Sequence, residues 1–278
     1  MKKICDLHTH TLFSDGTFTP TELVNHAVEL GLSAVALCDH NTVDGISEFF
    51  EAAKNQPIEV VAGTEFSVEY EGGELHLLGL FLPPECYPRI TAIMKEMDKL
   101  KKESNIALLE ALNRAGYEIS YEEVASRTPN GRFNRAHIGT VLTEKGYTES
   151  VRSAFKQVLD PKHGYYVPPR RLGVFETIDL IKSVGGVPVL AHPFLNLTEE
   201  GLLKFLPEAK KHGLGGMECM YSEYDREKTR RSLEIAKEFG LKPSGGSDFH
   251  GNTKPHIRLG SGKGNLEIPF EWYEALKP

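Results

Sequence analysis

The spacing of apolar positions changes character twice along this chain. Up to about residue 87, and again from about 172, short apolar runs of strand length alternate with stretches of helical period. Residues 3–7 read as a strand. Thr19 then stands as an N-cap and Pro20 as the first helical residue, and Leu23, Val24, Ala27, Val28 and Leu30 form one face before Gly31, so this helix carries both end signals. Ser33 to Cys38 is a continuous apolar run, the pattern of a strand buried on both faces of a parallel sheet. A helix over 43–54 and strands over 59–62 and 75–81 follow, and after residue 171 the pattern resumes: helix 174–184, strand 187–191, helix 199–211, strand 216–220 and helix 223–239. Strands alternating with helices predict βα units, an α/β fold and a parallel sheet with enough strands to close a barrel.

The middle has helical periodicity and almost no strand pattern. A long helix is predicted over 94–115, Ser120 to Glu123 reads as a capping box opening another, and Tyr165 to Pro169 reads as an exit linker. Charge separates the same two regions: residues 88–171 hold 15 basic and 10 acidic side chains, although the whole chain of 278 residues has a formal charge of -7. The expected organisation is an acidic barrel over 1–87 and 172–278, interrupted by a basic helical insertion over 88–171.

Composition narrows the class further. With 40% hydrophobic and 26% charged residues, the balance is that of a globular chain. No apolar run approaches the roughly 20 residues of a membrane span, and Asp6, His8 and His10 interrupt the opening segment, so neither a membrane protein nor a secreted one is expected, and the cytoplasm is the expected location. The four cysteines, Cys5, Cys38, Cys86 and Cys219, form no C-x-x-C pair, which argues against a disulfide framework and a zinc knuckle. A net acidic chain is not expected to coat long nucleic acids.

The chemistry lies where ionisable residues meet strand ends. Asp6-Leu7-His8-Thr9-His10 ends the first strand, Asp39-His40 the second, Gly63-Thr64-Glu65 follows the third and His76 lies on the next; Ala191-His192-Pro193 and Ser247-Asp248-Phe249-His250 end two later ones. In a barrel the strand ends surround one mouth, so these groups are predicted to converge. Imidazoles and carboxylates brought to one point form a ligand set for Zn, Mn or Fe. His8 and His10, two apart on a strand, face the same side, with Asp15 in the following loop. His26, His163, His212 and His256 read as ordinary surface or helix residues. Neither a P-loop nor a dinucleotide-binding glycine motif is present, and no Ser or Cys stands in a nucleophile context.

These motifs, in this order, resemble those of the polymerase and histidinol phosphatase (PHP) superfamily of metal-dependent phosphoesterases. The resemblance covers residues 1 to about 87 and 172 to 260. It implies a distorted (β/α)7-type TIM-like barrel and two to three divalent ions. His8, His10, Glu65 and Asp248 would hold one ion, Asp15, His40 and His250 a second, and Glu65, His76 and His192 a third. Asp39 is expected to orient a ligand histidine rather than to coordinate. The implied reaction is hydrolysis of a phosphomonoester by a metal-bridged water, with no protein nucleophile.

The stretch from Thr11 to Gly16 followed by Thr19 to Leu23 is similar to the branch of nucleoside 3',5'-bisphosphate phosphatases, which also trim RNA 5' ends. A nucleotide, another phosphorylated small molecule, or a short RNA or DNA end is therefore the expected substrate, with no obligate protein partner. In that branch the insertion faces the barrel mouth, which makes Arg132, Arg135 and His137 candidates for binding substrate phosphate. Histidinol-phosphate-type or other small-molecule phosphatases, and metal amidohydrolases, are the competing readings.

Overall fold

Among the described residues, seven strands form one sheet in strict sequence order: β1 (Cys5–Thr9), β2 (Ala34–Leu37), β3 (Glu59–Tyr70), β4 (Gly73–Leu80), β5 (Val187–Leu190), β6 (Gly216–Tyr221) and β7 (Lys242–Gly246). The structure is a computed structural model that describes residues 3–128 and 133–278. The segment after β7 returns to β1 and nearly closes the barrel: Asp248 N–H donates to His8 O and His10 N–H to Phe249 O, each at 2.9 Å. The chain divides into two units, Met1–Met94 with Leu172–Pro278, and Lys95–Arg171.

The uniformly parallel sheet expected from βα alternation is corrected at one strand. β4 runs antiparallel to both β3 and β5, whereas the remaining pairs are parallel. The cause is a tight hairpin. Glu71 (φ 49°) and Gly72 (φ 79°) both have positive φ, as a two-residue turn compatible with strand twist requires, and Gly72 supplies one of them without a Cβ penalty. β3 is accordingly far longer than the predicted 59–62. Residues 65–70 alternate polar and apolar, the signature of a half-buried antiparallel strand rather than of a doubly buried one.

Around the sheet lie α1 (Pro20–Glu29) and α2 (Ile46–Ala53). Thr19 caps α1 as expected and forms a full capping box with Glu22. The next helix, α3 (Tyr87–Arg114), starts at Tyr87 rather than at Met94, because Pro88 is tolerated in a first turn, where its missing N–H costs nothing. The second unit continues with α4 (Tyr121–Ala125), α5 (Arg135–Glu144) and α6 (Val151–Ala154) around a core that includes Leu108, Leu112, Ile138, Val141 and Leu159. Ser120 caps α4, but the expected capping box is only half made: the Glu123 carboxylate pairs with Lys145 Nζ at 2.8 Å instead of turning back on the cap.

The barrel unit resumes with α7 (Val174–Ser183), α8 (Pro193–Asn196), α9 (Glu199–His212), α10 (Arg226–Glu238) and α11 (Phe270–Leu276). Its core takes alternate residues from successive strands, among them Cys5 and Leu7, Ala34, Ala36 and Cys38, Leu78 and Leu80, and Val189 and Ala191, joined by Ile268, Phe270 and Leu276. Each large apolar side chain buried there contributes about 1.5–3 kcal/mol. No helix among the described residues is long and apolar enough to cross a membrane.

Candidate metal centre

β1 delivers its histidines through an irregularity. Asp6 pairs with Val35 and Thr9 with Leu37, so the ladder takes up one extra residue between them. This bulge turns His8 and His10 to the face of Ala36 and Cys38, which belong to the barrel core. Gly246 lets β7 pass alongside, since a Cβ there would lie 2.2 Å from His8 Cβ. His40 lies just past the end of β2 and meets Glu65 midway along β3, with Asn41 N–H donating to Glu65 O at 2.9 Å. His192 (φ 27°) and Asp248 (φ 57°) follow β5 and β7 in backbone conformations that cost about 1–3 kcal/mol each and persist only where neighbours enforce them.

Glu65 is the hub. Its Oε2 lies 3.1 Å from His8 Nε2 and 3.2 Å from both His10 Nε2 and His40 Nδ1, while its Oε1 lies 2.8 Å from His76 Nδ1 and 3.0 Å from His192 Nε2. Asp248 Oδ1 sits 3.1 Å from His10 Nε2 and 3.8 Å from His8 Nε2, and its Oδ2 accepts from Tyr221 OH at 2.9 Å and Lys254 Nζ at 2.8 Å. On the solvent side, the half-exposed Asp15 places Oδ1 3.1 Å from His250 Nε2 and Oδ2 3.9 Å from His40 Nε2.

Charge is crowded here. Burial opposes ionisation of Glu65, yet the nearby imidazoles of His8, His40, His10 and His192 hold its carboxyl well below the usual range. Asp248 is lowered against burial in the same way, mainly by His10 and His8. Burial works against protonating His10, but Asp248 and Glu65 outweigh it and lift its pKa to about 9; Glu65 and Glu74 do the same for His76, also to about 9. His40 goes the other way, to about 4, through burial and the nearby His10. The rings are too close for protons to satisfy all of them, His10 lying 4.2 Å from His250 and 4.6 Å from His40 between centroids.

Hydrogen bonding leaves the same atoms over. His8 Nε2, both nitrogens of His10, Glu65 Oε2 and His250 Nε2 are buried without a hydrogen-bond partner, although each has oppositely charged atoms nearby. Buried polar atoms are rarely left so. Among the described residues, three groups have ligand atoms within 4.8 Å of one another: His8, His10, Glu65 and Asp248; His10, Asp15, His40 and His250; and His40, Glu65 and His76. Imidazole nitrogens and carboxylate oxygens in such groups fit borderline divalent cations.

The model of the PHP domain matches residues 6–171. The chain belongs to the PHP domain family. A 5'-3' exoribonuclease of Haemophilus influenzae is 34% identical over 251 residues, covering 90% of this chain and 91% of its own. A 3',5'-nucleoside bisphosphate phosphatase of Chromobacterium violaceum is 27% identical over 247 residues, with 88% and 86% covered. A solved structure from Bifidobacterium adolescentis, assigned to the metal-dependent phosphoesterases, superposes with a TM-score of 0.71 at 29% identity, over 99% of this chain and 95% of that one. As a PHP protein with these relatives, the chain is a phosphoesterase and a hydrolase.

All nine side chains expected as ligands in this PHP barrel come together, with two changes of grouping: His10 joins Asp15, His40 and His250, and His40 takes the place expected for His192. His76 shares its group with His40 and Glu65, whereas His192 reaches Glu65 Oε1 from outside that group. Asp39 takes a different part from the one expected. Its carboxylate accepts from Thr11 N–H at 2.7 Å and Ser14 Oγ at 2.6 Å, so it orders the loop that carries Asp15 rather than a histidine ring.

In the helical unit, Arg135 lies 4.2 Å from the Tyr166 ring centre and 5.4 Å from that of Phe155, and donates to Leu159 O. The Nδ1 of His137 accepts from Asn134 N–H at 3.2 Å, completing a capping box on α5. Arg132 lies outside the described residues. Sequence reading missed Glu218, Tyr221 and Lys254. Glu218 alone left a usable signal, a carboxylate within the apolar strand Gly216-Met217-Glu218-Cys219-Met220.

Proposed function

We propose that this PHP enzyme hydrolyses a phosphomonoester on a nucleotide, with the 3'-phosphate of nucleoside 3',5'-bisphosphates as leading substrate and short oligonucleotide 5' ends as a second. The observation that carries the proposal is Glu65, a buried carboxylate with five imidazole nitrogens within 3.2 Å and ligand groups on either side. The named activities of the two relatives, on RNA and on nucleoside bisphosphates, share the phosphate ester of a nucleotide.

On this reading His8, His10, Asp15, His40, Glu65, His76, His192, Asp248 and His250 hold two or three divalent ions, with Mn, Zn and Fe as candidates. Such ions, when bound, supply Lewis acidity toward phosphate oxygens and lower the pKa of water. The protein's own part is to fix the ligands. Tyr221 and Lys254 both occupy Asp248 Oδ2 and leave Oδ1 facing the histidines. No protein nucleophile is invoked, and Cys38 is unsuited to that role because burial pushes its thiol pKa up. Arg135 and His137 enter the proposal as phosphate contacts on residue type alone.

A kinetic screen of purified protein loaded in turn with Mn, Zn and Fe tests the proposal. Nucleoside 3',5'-bisphosphate is expected to exceed 5'-monophosphate and histidinol phosphate in kcat/KM, with inorganic phosphate as product. A reversed ranking would sink the substrate assignment. Cleavage of an N-acyl amino acid without phosphate release from any ester would favour the amidohydrolase reading.

A further inference from the structure

Glu218 is fully buried in β6, and each of its two carboxylate oxygens has a separate task. Oε1 lies 3.0 Å from His8 Nδ1, and Oε2 accepts the backbone N–H of His192 at 2.6 Å. The first contact requires the His8 proton to sit on Nδ1, which leaves the Nε2 lone pair directed at Glu65 and Asp248. The second holds His192 at φ 27°. A register shift between Glu218 and Met220 marks a bulge in the ladder with β7, next to the position that aims this carboxylate.

We propose that Glu218 is a positioning residue that couples two parts of the metal centre, setting the His8 tautomer and the His192 backbone with one side chain. The inference rests on the metal-centre reading above. Its specific content is that a neutral side chain of the same shape fails. An amide in place of the carboxylate must point its NH2 group either at His8, favouring a proton on Nε2 where an ion would bind, or at the His192 N–H, where donor faces donor.

Zinc titration calorimetry, with bound zinc counted by elemental analysis, tests this on wild type and Glu218→Gln. Wild type is expected to bind at least two ions, and Glu218→Gln to lose about 10- to 100-fold in affinity at one or more of them, the range seen when ligand-orienting partners are removed. Equal affinity and stoichiometry in the two proteins would overturn the role of Glu218. A wild type that binds no zinc would instead overturn the metal-centre reading on which the role rests. Nitrogen-15 NMR of zinc-loaded wild type gives a readout that needs no variant. A proton on His8 Nδ1, protected from exchange, is expected, and a proton on Nε2 instead would rule the proposal out even if Glu218→Gln does not fold.

Discussion

The barrel mouth and the helical unit both carry histidines and charged side chains, yet they satisfy their polar atoms in opposite ways. At the mouth, His8, His10, Glu65 and His250 keep buried atoms without hydrogen-bond partners. In the helical unit, Arg135 is stacked on two aromatic rings with a carbonyl to donate to, and His137 closes a helix cap. Leaving a buried polar atom unpaired costs about 1–3 kcal/mol, so several such atoms in one place point to a group that would pair them. A side chain already satisfied by its own fold carries no such signal. Residue type suggested a functional role in both regions, but only in the barrel does the arrangement ask for something more.

Breaking the hub of the mouth should have the largest effect. Glu65→Gln keeps the shape, removes the charge shared by five imidazoles and faces some of them with an amide. Phosphatase kcat/KM is expected to fall more than about 1000-fold, equivalent to about 4 kcal/mol of lost transition-state stabilisation. Bound metal, measured by elemental analysis, should fall with it. A variant that keeps its full metal content and activity would remove Glu65 from the centre.

The comparison sharpens at Arg135, where the two regions make different demands. If Arg135 touches substrate phosphate, Arg135→Ala should lower kcat/KM for a bisphosphate about 10- to 100-fold, the loss of one or two charge-assisted hydrogen bonds. Its contacts within the helical unit also predict a stability loss of about 1–2 kcal/mol, from the ring stacking and the bond to Leu159 O. Arg135→Lys separates the two, since it keeps the charge and gives up the flat stacking surface. Lower stability in denaturant for both variants, with kcat/KM unchanged even in Arg135→Ala, would leave Arg135 a purely structural residue.

Which side chains would meet was legible in the chain because barrel geometry sends strand ends to one place. His8 and His192 are far apart in sequence but need only sit near the end of β1 and just past β5 to converge. The direction of β4 was not legible. It depends on a Glu71-Gly72 turn whose residue types do not by themselves demand two positive φ angles. Glu218 went unread because strand alternation normally sends one residue in two to solvent, and only the three-dimensional ladder shows this one to be buried. The family resemblance implies that Asp39 orients a ligand histidine, whereas the loop folding back over it decides its contacts.

The smallest expected effect concerns two glutamates that stand at the same position of a helix start in the two units. In α1, Glu22 turns back to the cap and its Oε2 accepts Thr19 N–H at 2.8 Å. In α4, Glu123 leaves its cap for Lys145, whose hydrogen bond holds its carboxyl below the usual carboxylate pKa despite some burial. Because that pKa is lowered in the folded state, the stability it brings is present above about pH 4.3, the ordinary value, and is lost as pH falls through the lowered one. The pair is largely solvated, so the amount is under about 1 kcal/mol and salt should reduce it. A double-mutant cycle of Glu123→Gln with Lys145→Met, followed by hydrogen exchange in α4 and α5, should give a coupling of about 0.5 kcal/mol at pH 7 that shrinks below pH 4. Glu22→Gln keeps an acceptor for Thr19 N–H and should change exchange in α1 little over the same range. Equal pH responses in the two helices would mean that Glu123 stabilises its cap locally and that its contact with Lys145 adds nothing.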